Sequence, residues 1–344
     1  MQIVFAGIGE MTERWAAYVG VRAPWVTDLL AWRRVVMEAY GIQSHLLAAM
    51  DGERIVGTLA LFEIRHPIFG HYLATAVFGN DGGLYFDDAV ARDALVAEAR
   101  ALAVRLGVAY LLIRTRELSL AGFQIDDHYR AAALDLDGGA DAVWTRLPSK
   151  TRNQVRRGMT EGFTLATGLD QRDAFFDVFH AHMRALGTPA HGHAFYESVV
   201  RNLTDKADFL VVRDGDAHKS LVAGALLFWS NGTATNYHTV ALRTYNPRCP
   251  NYLLYWTMIQ ASCGRGCSQF DMGRSEVGST NLDFKLNWGT RPVSLTYNYF
   301  LVKSKSVPYL DPRNPKYRVA IAAWRRLPLA VTKVLGAHLI RGLA

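Results

Sequence analysis

The sequence predicts an α/β (α+β) protein of two domains followed by a basic helical tail. Its 344 residues exceed one ordinary domain and suit two of about 150 residues each plus a remainder. Apolar periodicity alternates between the helical and the strand repeat, rather than giving a run of strands and then a run of helices. Hydrophobic residues make up 50% of the chain and charged residues 20%, which supplies two cores and argues against disorder.

Taken in order, Trp25 to Tyr40 reads as an amphipathic helix with Leu29, Trp32, Val36 and Tyr40 on one face. Ser44 to Met50 and Arg54 to Ile64 form a hairpin over Asp51-Gly52. A strand over Leu73 to Phe78, a long helix over Ala89 to Leu106 and a strand over Ala109 to Arg114 complete the first half. The basic segment Pro148 to Gly158 opens a connecting helix, since it lacks the Gly and Ser of a flexible linker. The second half repeats the plan. Helices are expected over Arg172 to Leu186, His193 to Asn202 and Asn251 to Gly264. Strands are expected over Asp208 to Arg213, Ser220 to Trp229, Thr233 to Leu242, Ser268 to Met272 and Val293 to Val302. The correspondence between halves lies in element order, not in residue identity.

Composition excludes several classes. Cys249, Cys263 and Cys267 are the only cysteines, too few and too oddly spaced for a disulfide framework or a zinc site, so a reducing compartment and no metal are expected. Met1 to Gly20 has neither the pattern of a signal peptide nor the length of a spanning helix, which points to a cytoplasmic protein. No GxSxG elbow, Walker loop or HExxH motif is present. The net charge of +7 is concentrated at the end: Lys303 to Ala344 holds nine Lys or Arg against Asp311 alone, a local +8. Such a tail suits a polyanion or an anionic membrane surface at the inner face of the cell membrane.

The segment Arg248 to Gly289 carries the most chemistry. A Pro-Asn pair opens a helix, so Asn251 is expected as its N-cap, with the following amides and the helix dipole available to a phosphate. The strand after it delivers Asp271, Gly273 and Arg274 to a loop, where Arg274 can fork onto a phosphate or carboxylate or simply pair with Asp271. Lys285, flanked by Phe284, Leu286 and Trp288, would have its stem in apolar surroundings and its ammonium turned to a cleft or to solvent. His191 lies in a loop and could take a proton from an attacking amine or hydroxyl, while His238 is a cleft or a core residue. Phe78 to Gly83 is a Gly-rich turn, read as structural or as the remnant of a binding loop.

Several segments together resemble the FemAB-like proteins associated with exopolysaccharide and exosortase loci, within the GNAT acyltransferases. They are Leu147 to Gly158, Leu186-Gly187-Thr188-Pro189, Cys249-Pro250-Asn251-Tyr252, Phe270 to Ser275, and Phe284-Lys285 with Trp288-Gly289. The resemblance implies two tandem GNAT-like domains, 1–147 and 148–310, each a mixed central sheet flanked by helices, with the tail 311–344 packing back on the first. It implies an acyl donor, acyl-CoA or aminoacyl-tRNA, with no tightly bound cofactor, and an amine or hydroxyl acceptor related to the cell envelope or to exopolysaccharide. Carried over onto the matching Phe-Lys pair, it makes Lys285 catalytic, while His191 and His238 are catalytic candidates from the residue reading alone. The residue reading adds Asn251, Tyr252, Arg274 and Ser275 as candidates for the donor phosphate, and Asp271, Phe284, Trp288 and Thr188 as candidates for the acceptor. The heptad-rich arm of peptidoglycan-directed Fem proteins is not visible in this sequence. A non-catalytic assembly protein with the same fold, or a protein that meets the membrane through its tail, stays open at this level.

Overall fold

The computed structural model describes residues 1–7, 9–215, 220–308 and 315–343. In chain order the elements are β1 (Gln2–Phe5), α1 (Glu10–Gly20), α2 (Leu30–Tyr40), β2 (Gln43–Asp51), β3 (Arg54–His66), β4 (Gly70–Ala74), β5 (Leu84–Phe86), α3 (Ala89–Leu106) and β6 (Tyr110–Arg116). There follow β7 (Gln124–Asp135), α4 (Gly139–Arg146), α5 (Ser149–Thr160), β8 (Thr164–Thr167), α6 (Arg172–Leu186), α7 (His193–Asn202), β9 (Ala207–Arg213), β10 (Leu221–Ser230) and β11 (Thr233–Ala241). The last are α8 (Pro250–Gly264), β12 (Gln269–Glu276), α9 (Thr280–Leu286), β13 (Arg291–Leu301), α10 (Pro315–Arg326) and α11 (Leu329–Ile340).

The chain folds into two compact units, each α/β. Unit 1 gathers Met1–Tyr129, Val293–Asp311 and His338–Ala344; unit 2 gathers Arg130–Pro292 and Pro312–Ala337. The change of unit therefore falls inside β7, not at residue 147, and falls again inside β13.

In unit 1 the sheet runs β1-β2-β3-β4-β6-β13, with β5 beside β3. β2 and β3 form the predicted hairpin, closing at Asp51 opposite Arg54. One core joins α3 to the sheet through Leu95, Ala99, Leu102, Leu59 and Leu111. A second joins Trp15, Tyr18 and Val19 of α1 to Leu46, Ala48 and Ala60. Helix α3 is held at both ends as its sequence dictates: Asp88 accepts from the Ala91 amide at 2.8 Å, and Gly107 closes it at φ 61°. Strand β13 was expected in the second half. It pairs antiparallel with β6 instead, Leu295 opposite Arg116 through Leu301 opposite Tyr110.

In unit 2 the strand order is β7-β12-β11-β10-β9-β8. Every residue of β10 is buried, the pattern of a strand covered on both faces. One face of β9 and β10 (Leu210, Val212, Ala223, Ala225, Leu227) packs on α4, α5 and α8 through Val143, Val155, Leu254 and Met258. Phe209 and Phe228, of opposite parity, belong to a ring cluster with Phe175 of α6 and with Phe195 and Tyr196 of α7, reached through Tyr237 of β11.

The tail is helical, as expected, but α10 and most of α11 pack within unit 2. Arg184 donates to the Leu327 carbonyl at 3.2 Å, Arg325 to the Leu186 carbonyl at 3.1 Å, and Lys333 pairs with Asp177 at 2.6 Å. Gly336 permits this approach, because a Cβ there would meet the Ala190 backbone at 3.1–3.3 Å. Only the last residues, from His338, belong to unit 1, where Tyr72 donates to the Gly342 carbonyl at 3.0 Å.

Candidate functional site

Some of the predicted residues of the second half, His238 and Asp271 to Ser275, lie at or past the paired stretch of two parallel strands. β11 and β12 pair over Thr233–Thr235 and Gln269–Asp271, and α8 is the crossover between them. Past this ladder lie His238 on β11 and Gly273, Arg274 and Ser275 on β12. In open α/β sheets ligands bind outside the carboxyl ends of the strands.

Strand β12 bends at its own carboxylate. Buried Asp271 accepts from the Gly273 amide at 2.6 Å, and Gly273 stands at φ 81°, a conformation glycine adopts without strain. Lys285 on α9 donates to the Gly273 and Arg274 carbonyls at 2.9 and 3.0 Å. Its side chain is buried, the residue being 4% exposed. Burial pushes the ammonium down to about 8; Asp271 opposes this shift and Arg274 adds to it. Two of its three N–H donors meet backbone carbonyls, which lets a charge survive in this surrounding.

The short helix α9 is made by its cap and its contacts. Ser279 accepts from the Leu282 amide at 3.2 Å, Asn281 donates to Ser275 at 3.0 Å, and Thr290 donates to the Lys285 carbonyl at 2.9 Å. Thr151 of α5 donates to the Asn287 carbonyl at 2.5 Å. Behind Lys285 stands an aromatic group: Phe284 meets Tyr252 and Tyr255 edge-on at 5.4 and 5.2 Å, and Tyr252 stacks on Trp288 at 5.8 Å. Tyr255 is fixed by Asn236 of β11, whose amide donates to its hydroxyl at 3.0 Å.

Other expectations need correction. Asn251 is not the cap of α8. Cys249 is, at φ 59°, with Pro250 at the first helical position, so Asn251 is the second residue of the helix. The carbonyl of Cys249 lies where a Cβ on Gly158 would come within 2.8 Å, so α5 covers this end of α8. Trp288 is fully buried and acts as a packing plate for Tyr252, Tyr255 and Phe284 rather than as a surface for an acceptor. Thr188 follows the end of α6, its amide donating to the Met183 carbonyl at 3.0 Å.

His191 is buried rather than looped into solvent. It stacks on Phe195 at 3.9 Å and lies 5.4 Å from the His238 ring. His238 in turn stacks on Phe179 at 4.6 Å, and its Nδ1 is 3.2 Å from Tyr196 Oη. Burial pushes His191 well below the ordinary histidine range and His238 down to about 3, so both are neutral at physiological pH. Arg274 is exposed, with its carbonyl held by Lys285. Thr151, Asn236, Tyr255 and Asn281 were missed by the sequence reading: the first three act through partners distant in the chain, and Asn281 reaches Ser275 only because α9 folds back on β12.

Residues 149–286, from α5 to α9, match the family model of the Acetyltransferase (GNAT) domain. The fold is that of a tandem GNAT protein. Among solved structures the chain is similar to FemX, with 13% identity, 93% of this chain and 100% of that chain covered, and a TM-score of 0.67. It is also similar to a tandem GNAT protein from the clavulanic acid biosynthesis pathway, at 15% identity, 89% and 100% coverage and a TM-score of 0.56. The C-terminal domain (DUF2156) of a putative lysylphosphatidylglycerol synthetase from Agrobacterium fabrum follows at 16% identity, 91% and 94% coverage and a TM-score of 0.54. A comparison with curated proteins finds no match.

Proposed function

We propose that the protein is an acyltransferase that moves an acyl or aminoacyl group from acyl-CoA or aminoacyl-tRNA onto an amine or hydroxyl of an envelope or exopolysaccharide-related acceptor. The observation that carries this reading is the buried Lys285 ammonium, anchored on two carbonyls at the end of β12 and with no third hydrogen-bond partner among the described residues. The GNAT domain match over residues 149–286 and the FemX-like fold support the reaction class. The acceptor class rests on the motif resemblance.

In the proposed reaction the acceptor nitrogen or oxygen attacks the donor carbonyl carbon. The carbonyl oxygen becomes an oxyanion facing the third Lys285 N–H, and the bond to sulfur or to the tRNA ribose oxygen then breaks. The leaving group departs with a proton equivalent to the one the acceptor gives up, passed through water. His238, held beside Tyr196 and pushed down to about 3, is too weak a base to collect it, so water is the proposed carrier. Exposed Lys150, Arg156 and Arg157 on α5 offer cations to the phosphates of either donor.

A second reading takes Lys285 as a strut that only ties α9 to β12, and the same two carbonyl contacts favour it. Binding of acetyl-CoA and of charged tRNA by calorimetry, followed by transfer assays with the donor that binds, separates the two. For catalysis, Lys285→Ala lowers turnover about 10²–10³-fold, the usual cost of losing one oxyanion donor, with donor affinity nearly kept. A strut predicts a lower melting temperature with turnover per folded molecule unchanged, and that result removes Lys285 from the mechanism.

A further inference from the structure

Helix α11 is built the wrong way round for a water-exposed helix. Its buried positions are Thr332 and Gly336, a small polar residue and a residue without a side chain. On the opposite face, at spacings of three and four, stand Val331, Val334 and Leu335, which are 39%, 62% and 43% exposed. On α10, Val319 is 71% exposed, while Trp324 is buried and touches Gly336, so the two helices pack together. An amphipathic helix on a soluble domain normally turns its large apolar residues inward. Here the docking of α11 uses backbone proximity to Ala190 and the Lys333–Asp177 pair, and while Leu329, Leu339 and Ile340 are half-buried, Val331, Val334 and Leu335 are left for something else.

Charge says what that is. Residues 315–337 contain five Lys or Arg and no acidic residue, and Arg318 and Arg326 are exposed. Among the described residues no helix is long and apolar enough to cross a membrane. A short helix with exposed Val and Leu, in a segment whose exposed arginines have no ion-pair partner among the described residues, matches a bilayer interface with anionic headgroups, where the apolar face enters the acyl boundary and the cations meet phosphate. We infer that α10 and α11 form a peripheral docking face for an anionic lipid surface. This goes beyond the proposed transferase activity, and it holds or fails whatever group is transferred.

The test is co-sedimentation of the full chain with vesicles of phosphatidylcholine alone and of phosphatidylcholine with phosphatidylglycerol. The wild type should partition at least about tenfold better onto the anionic vesicles, less so in high salt. Val334→Asp with Leu335→Asp should reduce this partition at least about tenfold while circular dichroism stays unchanged, since both side chains are exposed. Arg318→Glu with Arg326→Glu should erase the preference for anionic vesicles, which keeps the test valid should the first pair perturb folding. Equal partition to both vesicle types, or undiminished partition of both double variants, overturns the inference. So does a concentration-dependent dimer that the aspartates abolish in the absence of vesicle binding, since the face would then serve a second copy of the chain.

Discussion

Each unit buries an ionisable side chain near strand ends, and the two are treated oppositely. In unit 2, Lys285 keeps a charge because two carbonyls stand in for water, and it lies beside exposed Arg274. In unit 1, Asp28 is 3% exposed; Tyr85 donates to its Oδ2, and Oδ1 has no partner among the described residues. Burial pushes this carboxyl up to about 8, so it stays protonated at neutral pH. Around it, Arg116 forks onto Asp81 at 2.7 and 3.2 Å, with its guanidinium 4.1 Å from the Trp25 ring centre. The Gly-rich turn of residues 78–83, a candidate remnant of a binding loop, closes on this cluster. The difference teaches where chemistry can occur: a buried charge held by acceptors can face a substrate, whereas a neutralised carboxyl packed under a tight turn is scaffolding.

The contrast can be broken in a graded way. The largest effect expected is the loss of turnover in Lys285→Ala, with unit 1 substitutions leaving turnover per folded molecule intact. Next comes Gly82→Ala. Gly82 stands at φ 121°, and a Cβ there would run into the Asp28 carboxyl, so a loss of about 3 kcal/mol is expected by chemical denaturation. A smaller effect tests the proton on Asp28. Its folded pKa lies above the unfolded value, so its contribution to stability is full below about pH 4 and is lost as pH rises toward 8. Asp28→Asn should flatten that part of the stability profile, and an unchanged slope would show that the carboxyl is ionised in the fold. The smallest effect belongs to the surface. Arg157→Ala removes an exposed pair with Glu161 at 3.4 Å and should cost about 0.5 kcal/mol or less in the same denaturation assay.

Much of this architecture is legible in the sequence where local chemistry decides. Helices α3, α6 and α7 occupy the residues that periodicity and capping indicate, from Ala89, Arg172 and His193 onward. The β2–β3 hairpin follows from Asp51-Gly52. Helix α9 is not legible by the same means, because seven residues are too few to show a repeat and its stability comes from Ser279, Asn281 and Thr290 contacts. The partner of β13 is also hidden: its alternation announces a strand, but not that the strand joins β6. Of the candidate site, Lys285, Asp271 and Arg274 were found through residue type and motif. The buried state of His191 and Trp288 depends on Phe195 and Tyr252, which nothing in the neighbouring residues reveals.

The discontinuity of unit 1 bears on biosynthesis. The β6 edge is completed by β13, so Arg116 waits for Leu295 while about 180 residues are translated in between, on the order of ten seconds or more. During that interval a nascent strand presents open amides and carbonyls, which makes this edge a natural station for a chaperone and the first place where two growing chains would exchange strands.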